Sequence, residues 1–336
     1  MATIVSIASG KGGVGKSVVA ANLALLMAKQ GKRVVLADLD IGGADMHILF
    51  GLLNPPLTLT DFLSRRVERL ADVAQALPVH SGLILIPGTG DTLATANMPH
   101  AKKKRLIRHL RKLETDVVVV DIGAGTSYHA LDFFLMADHH VTVATPDPTS
   151  VLDLYRFIKL AAIRRVLSSF LSRDTIADAL SDRDFSSVED VLEVAGQTNE
   201  AGRAIAEATL RTFHPALILN RVTGRSRVNT SVLKKLLTQY IGASLTVLGE
   251  IPDDPAMGRA VRGYLPVVDS EPTAPAAVAL KATTDALALH MEEARRVRNR
   301  RQEDSDQAAF AASLLVRPYD YGVHAIAPPV SAECGG

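Results

Sequence analysis

The chain has 336 residues, enough for one large α/β domain with additions or for two ordinary domains. With 47% hydrophobic residues and a formal net charge of +1 it can fill a sizeable core, and no overall field marks it for a nucleic-acid or acidic partner. One cysteine, Cys334, excludes an intrachain disulfide, a Cys₄ zinc site and an all-cysteine iron–sulfur site, which fits a reducing cytoplasm.

In chain order, short apolar runs alternate with helical patterns. Met1 to Val5 leads straight into a strand pattern with no basic or long apolar leader, so no export signal is expected. Strands are predicted at Ile4–Ala8, Arg33–Ala37, Leu83–Ile86, Val117–Val120, His140–Ala144, Ala216–Leu219 and Ser244–Gly249. Helices are predicted at Lys16–Lys29, Lys102–Leu113, Ala130–Ala137, Ser150–Leu171, Asn229–Tyr240 and Thr273–Arg301. The strands are rich in Val, Ile and Leu throughout, as strands buried on both faces are. The alternation predicts an α/β, doubly wound, mostly parallel sheet that binds ligands at the strands' C-terminal edge. Ser168 to Phe213 is polar and helix-compatible and reads as a helical insertion. After Arg301 the chain turns Gln/Glu/Asp-rich, then Ala-rich, and ends on Pro328-Pro329 and Gly335-Gly336. The expected division is a domain over 1–301, ending in a C-terminal helix, and a mobile tail over 302–336. No apolar run approaches the roughly 20 residues that span a bilayer.

Gly10-Lys11-Gly12-Gly13-Val14-Gly15-Lys16-Ser17 matches G-x-x-x-x-G-K-[ST], after a predicted strand and opening a predicted helix. Glycines let consecutive N–H groups face a phosphate at the positive end of a helix dipole. Lys16 can then reach β- and γ-phosphates, and the Ser17 hydroxyl can ligate Mg²⁺. Asp38 and Asp40 end the next strand two residues apart. That spacing lets one carboxylate hold metal-bound water while the other orients an attacking water. Val117-Val118-Val119-Val120-Asp121 has the Walker B pattern, and Asp121 would bear on Mg²⁺ through its water shell. Gly123-Ala124-Gly125 follows as a loop able to sense a γ-phosphate.

A generic P-loop does not require Lys11. Lys11 to Ser17 resembles the KGGxGK[ST] deviant Walker A of the MinD/ParA superfamily. The resemblance extends to Asp38 to His47, to Asp121 to Gly125, to Thr145 to Asp153, to Leu219-Asn220-Arg221 and to Gly249 to Asp254. It covers roughly Met1 to Leu289 outside the insertion and is nearest the MinD and FlhG (FleN, YlxH) branch. The resemblance implies a P-loop NTPase fold of MinD/NifH type, with ATP/ADP and Mg²⁺ bound. Gly10 to Ser17 and Val18 would cradle the nucleotide. Lys11 would reach the phosphates of a partner subunit, making the ATP state a homodimer. Lys11, Lys16 and Asp40 are the implied catalytic residues, with Asp40 positioning the water. Ser17, Asp38, Asp40 and Asp121 form the implied metal set. Asn220 would recognise adenine, with Arg221, Pro252 and Asp253 beside it; on residue chemistry alone, an Asn at a strand end is more often a turn residue.

Two basic runs read first as solvated helix faces, with a landing patch for nucleic acid or anionic lipid as the alternative: Lys102 to Arg105 with Arg108, Arg111 and Lys112, and Arg295 to Arg301. In Gln307 to Val316, Phe310, Leu314 and Leu315 lack the basic face that an interfacial helix wants. His139-His140 is expected to begin a strand rather than bind an ion.

The leading expectation is an ATPase switch, slow and stimulated by a protein partner, that places or counts a flagellar or cell-division assembly. It is expected in the cytoplasm; peripheral binding at an anionic inner membrane or cell pole is a secondary reading, which the missing basic face of the tail argues against. A DNA-partitioning ATPase of the ParA type is the alternative, and a metabolic amidating synthetase on the same fold is more remote.

Overall fold

The computed structural model describes residues 2–40, 43–88, 98–170, 185–198, 200–224 and 230–315, as backbone alone at 198, 200 and 301–315. Its strands are β1 (Thr3–Ala8), β2 (Val34–Leu39), β3 (Gln75–Ala76), β4 (Leu83–Ile86), β5 (Val117–Ile122), β6 (His139–Ala144), β7 (Ala216–Val222) and β8 (Thr246–Pro252). They form one sheet in the order β3-β4-β2-β5-β1-β6-β7-β8. Every pairing is parallel except β3 with β4. Burial explains the composition. All six positions of β2, β5 and β6 are buried, which alternating polar residues would not permit. The expected doubly wound, mostly parallel sheet is therefore present.

The described helices are α1 (Lys16–Lys29), α2 (Leu59–Leu63), α3 (His100–Arg111), α4 (Tyr128–Leu135), α5 (Pro148–Phe170), α6 (Val188–Thr198), α7 (Glu200–Arg211), α8 (Thr230–Ile241), α9 (Pro255–Arg262), α10 (Val267–Ser270) and α11 (Pro275–Leu315). Helix α1 is apolar on nearly every side and is buried throughout Val19 to Ala28. Its one internal polar residue is satisfied twice. Asn22 Nδ2 donates to Val18 O at 2.7 Å, and its Oδ1 accepts from Val268 N at 3.1 Å, tying α1 to α10. The described parts of the insertion are helical, as expected. Helices α6 and α7 bury Val191, Ala195, Ala206 and Leu210 in the same core as the sheet. Fully burying one such side chain contributes roughly 1.5–3 kcal/mol for the larger apolar types.

Three residues of the basic run on α3 are engaged within the chain. Lys103 is buried against Asp132 of α4, whose other oxygen accepts from Arg164 Nε of α5 at 2.8 Å. Arg105 donates to Phe62 O and Glu68 O, and its guanidinium stacks over the Phe62 ring. Arg111 donates to Met136 O.

Asp254 joins two helix starts. Its Oδ1 caps α9 by accepting from Ala256 N at 2.8 Å, and its Oδ2 accepts from Ala276 N at 3.0 Å in α11. Those two N–H groups hold its carboxyl below the usual carboxylate range. Asp254→Ala is expected to cost about 2 kcal/mol, read as a lower urea midpoint at unchanged slope. Asp254→Asn, which keeps one acceptor, should fall between the two.

The chain divides into Met1–Ala288, which holds the sheet, and Leu289–Gly336. Helix α11 begins in the first unit and continues to Leu315, past the Arg301 end expected for it. In the second unit Arg296 pairs with Glu292 one turn back. Cys334 and residues 316–336 lie outside the described residues. Among those described, no helix is long and apolar enough to cross a membrane.

Candidate functional site

Parallel pairing brings three strand ends together. In register, Ile7 of β1 pairs with Asp121 of β5, and Asp121 with Asp38 of β2. The loop leaving β1 therefore turns over two strand-terminal carboxylates. Gly15 enters α1 at φ +87, and a Cβ there would lie 2.4 Å from Asn220 Nδ2. A Cβ on Gly10 would lie 2.2 Å from the Asp153 carbonyl oxygen in the first turns of α5. Both close approaches demand glycine, so the loop is clamped by β7 on one side and α5 on the other. Gly12 and Gly13 are exposed, and nothing stands within 4 Å of a Cβ built on either.

Lys16 Nζ lies 2.6 Å from Asp121 Oδ1, 3.5 Å from Asp40 Oδ2 and 3.4 Å from Ser17 Oγ. Lys16 is 6% exposed, Asp121 1% and Asp40 25%. Burial pushes the Asp121 carboxyl up, while Lys16 and the Ser17 hydroxyl pull it down. Asp40 Oδ1 also sits 2.9 Å from the place of a Cβ on Gly123, so it faces the glycine loop after β5. Asp38, also 1% exposed, points elsewhere. Its oxygens accept from Asp40 N at 3.0 Å and Met46 N at 3.1 Å.

Asn220 is buried at the end of β7, and its Nδ2 donates to Val14 O at 2.8 Å. That is a brace on the phosphate loop, which the sequence did not announce. Arg221 is exposed at φ +56, and Asp253 N donates to Val222 O at 3.0 Å, so both stand at the same sheet edge. Pro252 is half-buried opposite Val222, and Val18 lies half-buried in the first turn of α1. Lys11 is exposed, and its Nζ donates to Thr149 Oγ1 at 3.2 Å. Thr149 and the Asp153 backbone are contacts that residue type alone could not have found. The only hint was their place in the block Thr145 to Asp153. Residues 41 and 42 lie outside the described residues.

The residues present fit a magnesium nucleotide. Gly12 and Gly13 of the loop are exposed, Lys16 follows them at the start of α1, and the Ser17 hydroxyl and two carboxylates stand beside that lysine. Among the described residues no three His, Cys, Asp or Glu cluster to hold a metal.

Residues 1–167 match the family model described as ParA, NUBPL iron-transfer P-loop NTPase. The antiactivator FleN of Pseudomonas aeruginosa is 36% identical over 159 residues, 47% of this chain and 55% of that protein. The chain thus spans about half the length of that relative. A putative septum site-determining protein MinD of Chlorella vulgaris is 31% identical over 198 residues, 57% of this chain and 68% of that protein. In fold, the Pyrococcus horikoshii septum site-determining protein MinD, solved with Mg-ADP, superposes with a TM-score of 0.61 at 22% identity. That match covers 85% of this chain and 96% of the other. With the phosphate loop clamped at a sheet edge where its lysine meets the strand-end carboxylates, the chain belongs to the MinD/ParA superfamily of P-loop ATPases, in the branch that holds MinD and FleN.

Proposed function

We propose that the chain is an ATP-dependent switch that dimerises on ATP, hydrolyses it with Mg²⁺ and so places or counts a cellular assembly of the flagellar or cell-division kind. The observation that carries this is the meeting of Lys16, Asp121 and Asp40 beneath an open glycine loop, with Lys11 exposed on its rim. Lys16 would neutralise charge on the β- and γ-phosphates. Ser17 and Asp121 would hold the magnesium ion, which when bound offsets charge developing between those phosphates. Asp40 would orient the water whose oxygen bonds to the γ-phosphorus as the bridging P–O bond breaks, its electron pair going to ADP. Lys11 would serve the site of a second copy. The septum-site relatives support the division half of the reading, and the FlhG-branch resemblance supports the flagellar half. A DNA-partitioning reading is weaker, because Lys103, Arg105 and Arg111 of the strongest basic run are committed to contacts within the chain.

Asp40→Ala tests the switch. Hydrolysis should fall about 10²–10⁴-fold while nucleotide binding persists, because the carboxylate acts on water and not on the phosphate cradle. Light scattering should then find an ATP-dependent dimer. A chain that stays monomeric with ATP after this replacement sinks the proposal.

A further inference from the structure

Asp38 and Asp40 are two residues apart, yet the fold uses them differently. Lys16 reaches Asp40 and Asp121, while both oxygens of Asp38 are taken by backbone N–H groups, those of Asp40 and Met46. One carboxylate thereby fastens the backbone at both Asp40 and Met46. It is itself wedged: a Cβ on Gly88 would lie 2.9 Å from Asp38 Cγ, 3.0 Å from its backbone oxygen and 2.5 Å from Ala44 Cβ. Asp38 is shut in at 1% exposure, while Asp40 stays accessible at 25%.

We propose that Asp38 is a positioning residue for hydrolysis, which holds the backbone N–H groups of Asp40 and Met46 at the end of β2 and so sets where the Asp40 carboxylate stands, and that it is not a ligand of the magnesium ion. The proposal rests on the reading that this site hydrolyses ATP. A carboxylate that orients water must be held closely, because a shift of about 1 Å can reduce a rate by about 10²-fold. Backbone anchoring from beneath supplies that constraint without placing another negative charge against the phosphates.

Two substitutions disturb the anchor from opposite sides. Asp38→Asn keeps an acceptor for only one of the two N–H groups. Gly88→Ala keeps the carboxylate and crowds it from behind. For Asp38→Asn, kcat should fall roughly 10–100-fold, with the KM for ATP and the half-saturating Mg²⁺ concentration within about threefold of wild type. Amide exchange in peptides covering residues 43–46 should quicken by about tenfold, nucleotide present or absent. In an Asp40→Asn background the same change should alter kcat by less than about threefold, because what it positions is gone. Gly88→Ala should give the same pattern more weakly, and it carries the same readouts if Asp38→Asn does not fold. A rise of about tenfold or more in half-saturating Mg²⁺, with exchange at 43–46 unchanged, makes Asp38 a metal ligand and overturns the proposal. If the wild-type chain does not hydrolyse ATP, the parent reading fails by itself. The exchange measurement then decides the anchor alone, and unchanged protection at 43–46 ends it.

Discussion

Lys16→Ala is expected to lower nucleotide affinity by at least about a hundredfold and to destabilise the nucleotide-free chain by about 3 kcal/mol at pH 7. The first effect follows from the proposed role of Lys16, whose charge-assisted hydrogen bonds to phosphate would each be stronger than a neutral one. The second follows from what Lys16 leaves behind. Its Nζ lies 2.6 Å from a carboxylate that is 1% exposed, and deleting one member of a buried pair strands the other in a poorly solvating interior. Asp121 has an escape, which is to take a proton, and burial already raises its carboxyl even with Lys16 present. The deficit should therefore shrink as pH falls from 7 to 5, when the proton costs less to bind. Urea unfolding at both values, with a nucleotide-binding titration, checks both parts. Unchanged affinity would remove Lys16 from the phosphate site, and a deficit that grows toward pH 5 would contradict the buried-pair account.

Much of this site could be read from residue order because its parts sit at strand ends. Gly10 to Ser17, Asp38, Asp40 and Asp121 each follow an apolar run, and parallel pairing must bring such ends to one edge. Leu83–Ile86 was legible to the residue, since an apolar run bounded by polar turns has few other readings. What escaped depends on partners distant in sequence. Nothing local tells Asp38 from Asp40; the difference is a backbone N–H at Met46 and a wedge at Gly88. Asn220 looked like a turn residue or a base reader, and its bond to Val14 crosses 206 positions. The two-residue β3 and the short α2, α9 and α10 have too few residues for a period to emerge. Helix α11 outruns its expected end because the polar run from Gln302 to Gln307 suggests a break, whereas Gln, Glu and Ala are all good helix formers. The basic run on α3 divides for the same reason as the carboxylates. Lys103 differs from Lys102 and Lys104 only in facing Asp132.

Between pH 5 and pH 7 the nucleotide-free chain is expected to lose roughly 2–3 kcal/mol of stability relative to its Asp38→Asn variant. The Asp38 carboxyl is pushed up to about 7, first by burial and then by the charge of Asp121, against the pull of its two N–H donors and Lys16. Its ordinary value is 3.8. Above about pH 5 the unfolded chain has released this proton while the folded chain still holds it, so raising the pH favours unfolding. The contribution is complete below the ordinary value and lost by about pH 7, a full swing on the order of 4 kcal/mol. Half-buried histidines act in the opposite direction over the same range. His47, His109 and His129 are held down, chiefly by burial, so the unfolded chain binds their protons more readily and stability rises with pH. Asp132 and Asp254, held low by their partners, have finished their contribution by pH 5. The variant keeps the histidines and the raised Asp121 carboxyl, so these largely cancel in the difference, and its stability should fall less, or rise more, from pH 5 to 7 than that of the wild type. Urea midpoints at pH 5, 6 and 7 for both chains isolate the carboxyl. Parallel curves would mean that Asp38 is ionised throughout, and that the N–H groups of Asp40 and Met46 outweigh its burial.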